Sequence, residues 1–321
     1  MTADGSWRRV PRASHRPRTS SVGDVLWRLI SVRPAVWVAL VAAPVALGVP
    51  APALAAGHRP QGDYAPFAGC PVSNPRTGVC IFAQTESGEL AIGSRTIPLA
   101  RTMTLQGGVH EDEASGEQEF VPSEGGETLS RTPQVIPGTP FTVMAPKSLP
   151  VFMQEIFDEF INQKPANLTA TTELAGPASS IGIDTQDLIE AKGIGLSLPA
   201  KVKLSNPLLG EGCYIGSDAH PISIPLTTGS TKRSSSHKAA TGKPGHAQFK
   251  DEYNLVTIKG DSLLNDSFTA PSAEGCGGIL SFLVDPAVNA ELGLPLAAGH
   301  NEAILNVTLR DANASAVKAS E

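Results

Sequence analysis

Apolar residues recur at two different spacings along the chain, and the two spacings predict different elements. From Val79 the pattern is β: Val79-Cys-Ile-Phe-Ala-Gln-Thr85 is dense in strand formers, and Glu86-Ser87-Gly88 reads as a three-residue turn. Leu90-Ala-Ile92 follows, and Gly93-Ser94 carries the signal of a type II′ hairpin. Thr96–Leu99 and Thr102–Leu105 continue the meander, with Pro98 placing its strand at an edge because proline has no N–H to give a ladder. Leu196–Leu204 alternates apolar and polar, as a half-buried strand does. Asn167–Leu174, Cys213–Ile215, Ile222–Leu226, Leu255–Ile258, Ile279–Val284 and Ala303–Leu309 complete the strand set.

Helical spacing predicts one long element over 148–163, where Leu149, Phe152, Met153, Ile156, Phe157, Phe160 and Ile161 share a face. Its polar face is acidic, unlike that of a membrane-surface helix, so packing across a sheet is the favoured reading. Short helical turns are predicted at Asp184–Lys192, with Asp184 as cap and Gly193 as stop, and after Asp285 up to Gly293. The fold class is therefore all-β: a β-sandwich or partly open barrel of about ten short strands, with one amphipathic helix and one or two helical turns.

The first 55 residues read differently. Seven arginines precede Ala35–Val49, fifteen residues without a charge, and Ala53-Leu54-Ala55 supplies a small-x-small cleavage signal. This is the plan of a secretory signal peptide with a long basic n-region. The apolar run is shorter than the roughly 20 residues a membrane-spanning helix needs. Residues 56–69 read as a flexible lead, 70–310 as one disulfide-stapled β domain, 227–245 as a mobile loop and 311–321 as a disordered tail. No apolar segment suited to a membrane span follows the leader. The expected location is secreted, extracellular or associated with the cell surface.

Charge narrows the partners. Removing the leader takes seven of 25 basic and two of 31 acidic residues, leaving 18 against 29 and a net charge of −11. An acidic chain does not suit nucleic acid or an anionic membrane surface, and no nucleic-acid partner is expected. The partner is not identified by the sequence; a small apolar ligand or a cell-wall component stays open, and no cofactor is expected. The acidic stretch His110–Glu119 lacks calcium-loop spacing and reads as a solvated loop.

Four cysteines in an exported chain read as disulfides, with three pairings open. Cys70–Cys80 is favoured because Pro71, Pro75 and Gly78 fold the intervening loop back, and Cys213–Cys276 then ties two distant segments. Phe67-Ala68-Gly69-Cys70 also looks like a lipoprotein cleavage box, but it stands far from the apolar run it should adjoin. No C-x-x-C occurs, and no metal site is expected.

No nucleophile elbow, zinc-protease motif, phosphate loop or dinucleotide fingerprint occurs. Candidate catalytic side chains reduce to Ser217, Asp218 and His220 in one local cluster, with His300 beyond them. Their default reading is a β-turn closed by an Asx bond, and a structural polar contact at His300-Asn301-Glu302. Two functions stay open: a non-catalytic secreted β domain that binds an extracellular or envelope ligand, and a secreted hydrolase with dispersed residues.

Several blocks carry a resemblance: Cys80-Ile-Phe-Ala-Gln84, Thr172–Ile181, Leu204–Gly210 with Cys213–Ser217, Phe268–Gly278 and Ala298–Leu305. Together they resemble an uncharacterised family of secreted actinobacterial proteins across most of Cys70–Leu309. The resemblance implies export and a single domain, and it implies no activity, cofactor or catalytic residue.

Overall fold

A computed structural model describes residues 59–137, 150–152, 154–155, 167–231 and 239–321. Both the leader and most of the predicted 148–163 helix lie outside the described residues, as does 232–238 within the predicted mobile loop. Fourteen strands are present among the described residues. In chain order they are β1 (Val79–Ile92), β2 (Arg95–Pro98), β3 (Thr104–Glu111), β4 (Gln118–Pro122), β5 (Gln134–Val135), β6 (Thr169–Leu174) and β7 (Gly182–Ile183). After helix α1 (Thr185–Glu190) come β8 (Leu196–Ser205), β9 (Tyr214–Ile215), β10 (Ile222–Leu226), β11 (His246–Lys250), β12 (Leu255–Asn265) and β13 (Ala273–Glu274). Helix α2 (Ser281–Leu292), β14 (Glu302–Asn313) and helix α3 (Ala314–Ala319) close the chain.

The strands form two open antiparallel sheets of seven, a β-sandwich-like arrangement. The first sheet runs β11-β12-β14-β1-β3-β4, with β2 paired to β1 alone. The second runs β13-β9-β8-β6-β5, with β7 and β10 also paired to β8. Strand β8 shows why the sheets face each other. Leu196, Leu198, Ala200, Val202 and Leu204 are buried, while Ser197, Pro199, Lys201 and Lys203 stand on the opposite, wetter face. Ile81 on β1 and Val307 and Leu309 on β14 meet that inner face in one continuous core.

Both disulfides pair as expected, Cys70–Cys80 and Cys213–Cys276. Cys70 is thus committed to a bridge and buried, which leaves no thiol there for a lipid. The hairpin at Gly93-Ser94 is present, with Ile92 opposite Arg95 and Gly93 at φ +63°. Asp184 caps α1 by accepting from the Asp187 N–H at 2.9 Å.

Four expectations are corrected. The turn predicted at Glu86-Ser87-Gly88 is a β-bulge inside one unbroken strand, with the register against β14 shifting between Thr85 and Ser87. The strand predicted over Ile279–Val284 is instead a tight turn leading into α2. There Val284, Ala287, Val288 and Leu292 are buried at helical spacing, while Ile279 and Phe282 are left exposed. A short apolar run does not distinguish the two elements by period alone.

The lead and the tail are structured too. A 3-10 turn at Gly62–Phe67 buries Phe67, and α3 buries Ala314 and Val317. With Cys70, Cys80, Leu255 and Ala312 they form a second, smaller core on the other face of the first sheet. Neither segment is long enough to display a period, so neither announced itself. Finally, β11 is a strand directly after the predicted loop; all five of its residues are exposed, which erases the alternation that marks a half-buried strand.

Candidate functional site

Ser217, Asp218 and His220 make a turn. The His220 backbone N–H donates to Ser217 Oγ at 3.1 Å, and the Ser217 N–H donates to the His220 carbonyl at 3.0 Å. Asp218 is bonded to other partners than the histidine. It accepts from Lys201 Nζ at 2.7 Å and from the Gly176 N–H at 3.1 Å, and these bonds hold its carboxyl below the usual range. Lys201 also lies over the Tyr214 ring, 5.5 Å from its centre. His220 and His300 are both exposed. Among the described residues no hydrogen bond joins Ser217 or Asp218 to an imidazole, so the structure does not assemble a nucleophile and base here.

The contact beside His300 belongs to Asn301, which is fully buried. Its Nδ2 donates to the Phe268 carbonyl at 3.1 Å, and its Oδ1 accepts from the Gly93 N–H at 3.3 Å. Asn301 thereby ties the β1–β2 turn to a distant loop. In the acidic stretch, Asp112 Oδ1 accepts from the Ala114 and Ser115 N–H groups, closing a turn between β3 and β4. No three His, Cys, Asp or Glu side chains gather as a metal-holding group among the described residues.

A different feature lies between the sheets. A cavity of about 80 Å³ is bounded by β1, β3, β12 and β14 on one side and by β6, β7, β8 and β10 on the other. It is partly open to solvent. Its walls are aliphatic almost throughout, with Leu198 and Ile224 facing Leu305 and Val307 across the gap. Four lining residues are polar: Thr85, Thr104, Thr172 and Asp261. Asp261 is the single ionisable group among the described residues of the wall.

Two bulges place Thr85 and Asp261 in that wall. On β12 the register against β14 shifts between Lys259 and Asp261, with Gly260 at φ +77° as the extra residue. On β1 the matching shift falls between Thr85 and Ser87. Val307 of β14 is the register partner of both Thr85 and Asp261, so the two bulges lie level across one strand. The insertion at Gly260 puts Asp261 and Leu263 on the inner face that Ile258 would otherwise have passed to Gly260.

Asp261 is 4% exposed. Burial pushes its carboxyl up, and a bond from the Gly245 N–H to Oδ1 opposes that. Gly245 has no room for a side chain there: a Cβ would stand 2.9 Å from Asp261 Oδ1 and 2.7 Å from the Lys259 carbonyl. Among the described residues no group donates to Oδ2, and that oxygen is not one of the fully buried atoms left without a partner. Sequence reasoning missed Asp261. The available signal was Gly260, an isolated glycine within a strand pattern, which marks a bulge and therefore a change of face.

Compared with protein-family models, curated proteins and solved structures, the chain finds no match. The expected family resemblance therefore gains no support from these comparisons, and the site has to be read from its own chemistry. Among the described residues no helix is long and apolar enough to cross a membrane. The two disulfides are consistent with an oxidising, extracellular setting.

Proposed function

We propose that this chain is an exported, non-catalytic β domain that binds a small apolar ligand between its two sheets. The observation that carries the reading is a mainly aliphatic cavity with a few polar residues in its wall, the usual composition of a small-molecule site. An unfilled apolar void of about 80 Å³ destabilises a fold by about 2 kcal/mol, and a bound alkyl group offsets that cost. Export rests on the arginine-rich leader with its Ala-x-Ala signal and agrees with the bridged cysteines.

The test uses the purified protein and dissolved xenon, an apolar atom small enough for this cavity, read by xenon NMR. The wild type is expected to shift the xenon resonance beyond what non-specific surface contact gives. Leu198→Phe, which fills the gap from β8, is expected to lose most of that shift while keeping its circular dichroism spectrum. Equal shifts with both proteins, or none with the wild type, sink the reading.

A further inference from the structure

We infer that strand β11 is an interaction edge for a second copy of this chain, and that two copies join by antiparallel pairing of β11 with β11 about Gln248. None of its residues lines the cavity between the sheets, so the inference stands apart from the ligand reading. Among the described residues β11 ends the first sheet, paired to β12 on one side only. At the opposite end of that sheet, Gln118 of β4 is tied to Thr185 of α1 by bonds of 3.0 and 3.1 Å. Open edges are usually blunted by proline or a bulge. His246–Lys250 contains no proline, and its register against β12 has no shift.

The ladder fixes which backbone groups are on offer. Lys243 and Ser262 exchange both backbone bonds, at 3.1 and 2.8 Å. The register runs on unchanged from that pair to His246 opposite Lys259. Bonded pairs alternate along an antiparallel ladder. Ala247 and Phe249 therefore bond to β12, while His246, Gln248 and Lys250 turn their N–H and C=O groups to the open edge. Pairing about Gln248 sets Gln248 opposite its own copy and His246 opposite Lys250, so each outward donor meets an outward acceptor.

The side chains are self-complementary in the same register. Ala247 and Phe249 stand opposite Ile258 and Val256, and so continue the apolar inner face of the sheet. Yet all five residues of β11 are exposed, Phe249 by 57%. The turn Asp251-Glu252-Tyr253 has positive φ throughout and leaves Tyr253 against Phe249, ring centres 5.3 Å apart, with Tyr253 75% exposed. In the paired strands Phe249 lies opposite Ala247 of the other copy, with the two Phe249 residues diagonal at roughly 7–8 Å, within reach of aromatic side chains. A symmetric pairing closes on itself and leaves no further edge for a third copy. A contact of this length buries less than a stable dimer needs, so the association is weak.

Sedimentation equilibrium of the purified protein from about 5 to 500 μM is expected to pass from monomer to dimer, with a dissociation constant on the order of 50 μM. Over the same range, amide exchange by NMR is expected to slow at His246, Gln248 and Lys250 and to stay unchanged at Ala247 and Phe249. Gln248→Pro removes an outward N–H and spares the bonds to β12, and Phe249→Lys brings like charges together; each is expected to weaken association at least about tenfold. The lysine variant carries the test if the proline variant loses its circular dichroism spectrum. A wild type that stays monomeric throughout overturns the inference. So does a dimer that leaves exchange in β11 unaltered, or one that survives Phe249→Lys.

Discussion

At the scale of single residues, the inner face of the first sheet holds two carboxyls in poor solvation. Asp261 edges the cavity. Asp311 continues the row of Leu305, Val307 and Leu309 on β14 and has apolar register partners on both sides, Ile81 and Val256. Its Oδ1 is buried without a hydrogen bond. Burial pushes its carboxyl from an ordinary value of 3.8 up to about 6. Between those values the folded protein holds a proton that the unfolded chain has released. The contribution of Asp311 is therefore fully present below the unfolded value and is lost as pH rises through about 6. The loss amounts to at most about 3 kcal/mol. Asp311→Asn copies the neutral form, so the variant is expected to be more stable than the wild type at neutral pH and nearly equal to it near pH 4. Urea unfolding of both proteins at the two pH values measures this, and equal stability at neutral pH contradicts it.

At the scale of elements, glycines decide where strands bulge and how closely they approach. Gly88 has φ +147°, and a Cβ there would stand 2.1 Å from the Ile304 carbonyl of β14. The residue that looks like a turn glycine is thus one that lets two strands close over a bulge. Gly88→Ala is expected to cost about 3 kcal/mol, combining backbone strain with displacement of β14. Gly62 shares a positive φ, +61°, yet has nothing within 4 Å of its missing Cβ. Gly62→Ala should lose only about 1 kcal/mol, from strain alone. Chemical denaturation of the two variants compares them, and similar losses would show that contact with β14 is irrelevant. Helix α2 makes a related point. Asp285 accepts from the Cys276 N–H at 2.7 Å and from the Gly275 N–H at 3.2 Å, so the helix is docked to the second disulfide through a side chain. Asn289 adds a two-way clasp with the backbone of Ala273. These long-range bonds settle as helix a segment whose local pattern suited a strand equally well.

At the scale of the whole molecule, the two bridges constrain the unfolded chain unequally. Cys70 and Cys80 are 10 apart in sequence, and Cys213 and Cys276 are 63 apart. By loop entropy alone, the first contributes about 3 kcal/mol and the second about 4 kcal/mol. Replacing both members of each pair with serine should lower stability in that order, as read by guanidinium unfolding without reductant. A larger loss from the shorter loop would mean that local packing outweighs chain entropy. The packing in question is the small core that Cys70 and Cys80 share with Phe67 and Val317.

Much of this architecture is written locally. The alternation in Leu196–Leu204, the hairpin at Gly93-Ser94, the cap at Asp184 and the short Cys70–Cys80 loop are each set by near neighbours, so residue order alone determined them. The bulges, the cavity and the helix after Ile279 are not local. A bulge depends on which strand lies alongside, as β14 lies beside both β1 and β12. A cavity exists only where side chains from two sheets fail to fill the space between them. Asp261 lies beyond the strand Leu255–Ile258 that the sequence predicts, and only the pairing of an extended β12 with Val307 places it in the cavity wall.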